Sequence, residues 1–138
     1  MPRMRSAPLI LLLVLTTGCA SSGTTFYRLA LASDQLAMTA QRLQQTEIAL
    51  YDAGKVTDKA HAQWQIGFYK LGESLRLLNA SVRVGSTQDV QARARAVLTL
   101  LDAMIDYASG LDADTRVLLV TAIEAVRTLV VLLGTVEP

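Results

Sequence analysis

Cys19 and His61 are the only cysteine and the only histidine of the chain. A thiolate can attack a carbonyl or bind a soft metal, and an imidazole can move protons near neutral pH, but a nucleophile needs a base held by a third group. One thiol near the N-terminus and one imidazole far along the chain do not make that set. Zinc would need a further His or Cys, and a di-iron bundle would need Glu-x-x-His pairs, which the sequence lacks. No catalytic residue, metal or cofactor is therefore expected. Asp102 and Asp106 stand at i,i+4 and could share a proton or hold a hard cation, yet a solvated acidic face suits them better. Gly54-Lys55-Val56-Thr57 ends like a phosphate loop, but the glycine required five places earlier is Ala49, and no strand precedes it. Trp64, Phe68 and Tyr69 form the one aromatic cluster, either a stacking platform for a ligand or packing at helical core spacing. His61, three residues before Trp64, reads as a boundary histidine beside an aromatic ring.

Cys19 belongs to a segment with its own logic. Arg3 and Arg5 precede Leu9-Ile10-Leu11-Leu12-Leu13-Val14-Leu15, and Thr16-Thr17-Gly18-Cys19 follows. A basic start, a short apolar run and a small-residue site form the pattern of a secretory signal. The apolar run rises only about 10 Å as a helix against a hydrocarbon core of roughly 30 Å, which argues against a permanent span. The Thr17-Gly18-Cys19 end resembles the lipobox of bacterial lipoproteins, although Thr16 stands where leucine is usual. That resemblance implies a signal peptide over 1–18, an acylated Cys19, and a membrane attachment through the acyl chains. Ala20 is similar to the residues that permit export to the outer membrane, which implies its periplasmic side. The alternatives are a cysteine that merely ends a secretory signal, or an uncleaved anchor.

The charge balance sets the class of partner. Thirteen Lys and Arg face twelve Asp and Glu, so no basic face of the kind nucleic acid needs is expected. Loss of Arg3 and Arg5 with the signal would leave eleven basic against twelve acidic side chains. An apolar share of 51% is enough for an ordinary core, and one cysteine cannot make an internal bridge.

Residues 19–24 read as the acylated cysteine and a small polar tether, and 25–138 as one helical domain. Leu29, Leu36, Leu43 and Leu50 recur every seven residues, with Ala32, Thr39, Thr46 and Ala53 between them, which predicts a long helix over about 25–53. Gly54 suits a helix end and Thr57 a new N-cap. Trp64, Phe68, Leu71, Leu75, Leu78 and Val82, spaced 4, 3, 4, 3, 4, give the second helix a coiled-coil-like seam up to Gly85. Ser86 or Thr87 can cap the third, with Asp89 placed to answer Ser86 as a capping box, and its seam is Val90, Ala94, Val97, Leu101, Met104 and Ala108, closed by Gly110. Asp112 or Asp114 opens the fourth. There Leu119, Ile123, Val126, Val130 and Leu133 form one seam, and Leu118, Ala122, Ala125, Leu129 and Leu132 a second.

Short connections make consecutive helices antiparallel neighbours, so the expected fold is all-α: an antiparallel up-down-up-down four-helix bundle with crossings near 20° after the signal peptide. The first hairpin, being longer, should overhang at one end as a candidate interaction surface. Helix 113–134 must be weighed as core, as a membrane-surface or partner-facing element, or as a span, with Glu124 and Arg127 pairing at i,i+3 and Thr121, Glu124 and Thr128 forming a solvent stripe. Gly67 and Gly72, each costing about 1 kcal/mol against Ala inside a helix, suggest close helix approach.

The reading is a lipid-anchored, non-enzymatic envelope bundle that binds an envelope protein or itself. A bundle that binds a small apolar ligand or lipid is the alternative. Short helical lipoproteins of this kind are also similar in style to phage- and prophage-encoded envelope or lysis accessories.

Overall fold

The computed structural model describes the backbone of residues 7–135 and the side chains of residues 27–135. Four helices follow one another: α1 (Ala7–Asp52), α2 (Asp58–Val84), α3 (Thr87–Tyr107) and α4 (Ala113–Gly134). Each packs on its neighbours in sequence, and α1 closes the ring on α4. The expected all-α four-helix bundle is therefore the fold.

The turns follow from local chemistry. Gly54 (φ 71°) and Gly85 (φ 74°) adopt the left-handed conformation that lets a helix end without a Cβ clash. Gly85 N–H donates to the Ser81 and Val82 carbonyls, while Lys55 N–H returns to Leu50. Side-chain oxygens of Thr57, Ser86 and Asp112 accept from the backbone N–H of Ala60, Asp89 and Thr115 and cap α2, α3 and α4. Gly110 does not take the left-handed form; α3 ends instead at Ala108 in right-handed geometry.

Asp112 is the cap with a pH consequence. Hydrogen bonds from the Thr115 hydroxyl and N–H hold its carboxyl below the ordinary carboxylate range. Because its folded value is the lower one, the stabilisation is complete above the unfolded value of about 4 and is lost as pH falls through the folded value. Asp112→Asn keeps an acceptor but removes the titration. Urea midpoints measured between neutral pH and pH 3 should fall less steeply for that variant than for the native chain; parallel curves would refute the assignment.

The core takes its residues from the predicted seams. Trp64, Phe68, Leu71, Leu78 and Val82 of α2, the α3 seam, and Leu119, Ile123, Val126, Val130 and Leu133 of α4 are all buried. Three expectations change. The second α4 seam is half open, because Leu118 and Leu132 face solvent on the flank toward α1. The first hairpin does not overhang as a pair: Val56 in its turn is buried in the common core, against which Leu111 of the α3–α4 turn also packs. The extension belongs to α1 alone, whose backbone runs back to Ala7. The side chain of Cys19 and the signal segment 1–18 lie outside the described side chains.

By length and composition α4 is the one helix among the described residues apolar enough to cross a membrane, with mean hydropathy 2.1. In this fold its main seam is fully buried in the bundle. Thr121, Glu124 and Thr128 are exposed, as the stripe predicted. Arg127 pairs with Glu124 at 3.2 Å and also with Asp102 of α3. Those carboxylates raise the guanidinium pKa further. Asp106 is exposed, as is Asp102 apart from that pair.

Candidate functional site

The seam between α1 and α2 differs from the rest of the core. On α1 the line of seam residues beside the leucines is Ser33, Ala40 and Glu47, one place later than the expected Ala32, Thr39 and Thr46. Ser33 donates its hydroxyl to Asn79 Oδ1 at 2.9 Å. Glu47 Oε2 accepts from Gln65 Nε2 at 3.2 Å. Both pairs define one antiparallel register, and seven residues inward from each it sets Ala40 level with Gly72. The α1–α2 seam thus carries a polar layer, a layer of two small residues, and a second polar layer.

Two small residues leave the middle layer unfilled. A groove of about 410 Å³ opens there, with Leu36, Phe68, Leu71 and Leu75 as its floor and Asp34, Gln41, Gln44 and Arg76 on its rim. A methyl group added at Gly72 would meet nothing within 4 Å, whereas one at Gly67 would lie 3.1 Å from Tyr107 Cε2 and 3.4 Å from Met104. Close approach therefore explains Gly67, against α3, and does not explain Gly72. Gly72→Ala is expected to raise stability by about 0.5–1 kcal/mol through helix propensity and unfolded-state entropy. Gly67→Ala should gain less or destabilise, since Tyr107 must give way. Urea unfolding of the two variants checks this, and equal gains would contradict the packing difference.

The polar layer toward the α1–α2 turn is the densest cluster of chemical groups. Glu47 is fully buried, and its carboxyl lies 2.9 Å and 3.2 Å from His61 Nδ1. The imidazole stacks on Tyr51 of α1, with centroids 3.9 Å apart and planes at 9°. Tyr51 donates its hydroxyl to Asp58 Oδ1 at 2.9 Å, and that carboxylate raises the phenol pKa. The aromatic neighbour of His61 is thus Tyr51 and not Trp64.

A carboxylate orienting a histidine is the orienter–base half of a hydrolytic triad. Among the described residues no hydroxyl or thiol is bonded to His61, and one face of its ring is covered by Tyr51. The dyad joins α1 to α2. No group of three metal-ligating side chains occurs among the described residues.

The aromatic cluster is divided. Trp64 is fully buried, 5.8 Å from Phe68 and in edge contact with Tyr107. Phe68 reaches the groove floor, and Tyr69 is exposed and apart from both. Sequence reasoning missed Ser33 and Glu47 as core positions. The available signal was the matching seven-residue spacing of Ser33–Ala40–Glu47 and Gln65–Gly72–Asn79 on adjacent helices.

No family model matches the chain. No curated protein matches it in sequence, and no solved structure matches it in fold.

Proposed function

We propose that the chain is a lipid-anchored, non-enzymatic component of the cell envelope, held by acyl groups on Cys19 and presenting a helical bundle to an envelope protein or to a second copy. The carrying observation is the position of the only cysteine, directly after Leu9–Leu15 and Thr16-Thr17-Gly18, where the lipobox places its modified thiol. One lipid chain anchors weakly, while two or three hold stably, at about 0.8 kcal/mol per buried methylene. The α1–α2 seam supports the interaction reading, because its groove sets an apolar floor of Leu36, Phe68, Leu71 and Leu75 beneath a polar rim.

Expression of the C-terminally tagged chain with Cys19 and with Cys19→Ala tests the anchor. The native chain should be membrane-bound, with an intact mass equal to residues 19–138 plus tag and acyl groups; the variant should lose the acyl mass. A native product of unmodified mass in the soluble fraction would overturn the anchor.

The groove also favours a second reading, in which it holds a small apolar ligand or an acyl chain. Pockets that bind such molecules are mainly apolar with a few polar groups at the edge. Saturable displacement of a fluorescent fatty acid that is abolished by Gly72→Leu would support it, and binding unaffected by that substitution would count against it.

A further inference from the structure

The four sides of the bundle are unlike, and the side formed by α1 and α4 carries most of the uncovered apolar surface. Leu31 and Met38 of α1 with Val117, Leu118, Val131 and Leu132 of α4 are six of the eleven large hydrophobic side chains exposed among the described residues. Helical spacing sorts this side into two stripes. Leu31, Met38, Arg42 and Ala49 run along α1, and Leu118, Thr121, Ala125, Thr128 and Leu132 along α4, all of them exposed. Between the stripes a hollow of about 500 Å³ is lined by Gln35, Met38 and Arg42 on one wall and Ala125, Thr128 and Leu129 on the other. The two helices are antiparallel, so this shared lining sets the heights: Arg42 stands about level with Glu124 and Ala125, Met38 with Thr128, and Leu132 between Leu31 and Met38.

The two walls differ in sign. The exposed charges on the α1 wall are Arg28 and Arg42, and those on the α4 wall are Asp114 and Glu124. The other charges of the two helices point elsewhere. Asp34 lines the α1–α2 groove, and Asp52, five turns on, shares its side. Arg127 turns to Asp102 of α3, and Arg116, three turns earlier, donates to the Leu111 carbonyl. Glu137, beyond α4 in sequence, has the sign of the α4 wall. Among the described residues Arg42 has no carboxylate partner, while Asp102 and Glu124 share the one guanidinium of Arg127.

Opposite signs on the two walls choose both the occupant and its direction. A surface that is basic along one helix and acidic along the other complements its own image, which is what an isologous two-fold contact requires. Rotation about an axis along the bundle lays α1 of each copy on α4 of the other, so that Arg42 and Glu124 meet twice at equal height. The antiparallel alternative stacks α1 on α1 and sets Arg42 against Arg42. In the parallel pair Leu132 of one copy reaches between Leu31 and Met38 of the other, and Met38 comes over the hollow beside Thr128. Two helices, each about 10 Å across, along the roughly 33 Å of α4 give a footprint of roughly 650 Å². That is of the order of the roughly 800 Å² each partner buries in a specific interface.

We propose that two copies of the chain pair in parallel through the α1–α4 side, with Leu132 seated between Leu31 and Met38 and Arg42 paired with Glu124 across the contact. The pairing deepens the reading above in which the bundle is presented to a second copy, and it rests on that part of the reading alone. Acyl groups on Cys19 would bring both chains to one bilayer in the same orientation and at raised effective concentration, which favours the parallel form. The α1–α2 groove lies outside the contact and stays open.

The test is sedimentation velocity of the full chain in non-ionic detergent micelles across micromolar concentrations, with the intact mass read from the same preparation. A dimer is expected. Arg42→Glu and Glu124→Arg should each weaken it roughly tenfold, and the double reversal should restore it, because the pair is remade with its signs exchanged. Leu132→Asp should abolish the dimer by placing a carboxylate in the apolar contact. All three positions are exposed in the single chain, so circular dichroism should show unchanged helix content in every variant. A dimer indifferent to the reversals and to Leu132→Asp uses another side and overturns the assignment, and single reversals without rescue overturn the parallel direction. A chain that stays monomeric refutes the pairing: if its mass carries acyl groups the anchor stands, and capture of a different envelope protein that is lost in Leu132→Asp gives this side to that protein. A dimer of unacylated mass keeps the pairing and refutes the anchor.

Discussion

His61→Ala is expected to lower the stability of the bundle by about 2–4 kcal/mol, because it strips the principal partner from a buried carboxyl group. Glu47 has no exposed surface. Without the imidazole its two oxygens keep only the contact from Gln65 Nε2 at 3.2 Å, and the stacking surface of Tyr51 is uncovered as well. A buried acceptor left without a partner carries its full desolvation penalty, whereas replacing both partners by apolar groups of similar size can be nearly neutral. The comparison that tests the account is thus His61→Ala against Glu47→Leu/His61→Leu in urea unfolding. The single variant should be the less stable of the two. If the double variant loses as much or more, the cluster contributes net stability and is not mainly a device for register. The register role has structural content, since Ser33–Asn79 and Glu47–Gln65 define the alignment in which Ala40 meets Gly72 and the groove opens.

The bundle was legible because its strongest signals are local and periodic. The 4-3-4-3-4 spacing from Trp64 to Val82, the glycines at 54 and 85, and the caps at Thr57, Ser86 and Asp112 all act within a few residues, and the structure repeats each of them. The candidate site was less legible because it depends on which side of a helix meets which neighbour. Leu29, Leu36, Leu43 and Leu50 mark the middle of the buried face of α1 but leave open the flank that turns toward α2. The heptad spacing marks Ala32 and Thr39, which are half-buried, with Ala32 packed against the core, while the flank toward α2 carries Ser33, Ala40 and Glu47. Polar residues can occupy that flank because each finds its acceptor or donor on α2. Such pairing lies between helices and is invisible in either helix alone. The same reasoning explains the α4 flank, where Leu118 and Leu132 continue an apolar seam in sequence but find no neighbour to cover them.

Trp64→Ala should cost about 3–5 kcal/mol, the largest effect expected of a single substitution in this chain. The indole is fully buried between Phe68 and the edge of Tyr107. Tyr107 also crowds Gly67 one turn away, so the surroundings have little freedom to collapse into the space left behind. The indole Nε1 is buried without a hydrogen-bond partner. Removing it therefore forfeits packing and no polar bond, which makes Trp64→Phe the informative control. Phenylalanine retains much of the volume and eliminates the unpartnered N–H, so its cost should be about 1–2 kcal/mol or less. A Phe variant as unstable as the Ala variant would mean that the indole N–H has a partner after all. The consequence for function is direct. Trp64 lies behind Phe68 and does not line the α1–α2 groove, so loss of ligand binding in Trp64→Ala would report a loosened bundle and not a lost contact. Gly72 lines that groove with open space in front of it, and a larger side chain there blocks the groove while leaving the packed core of α2 in place.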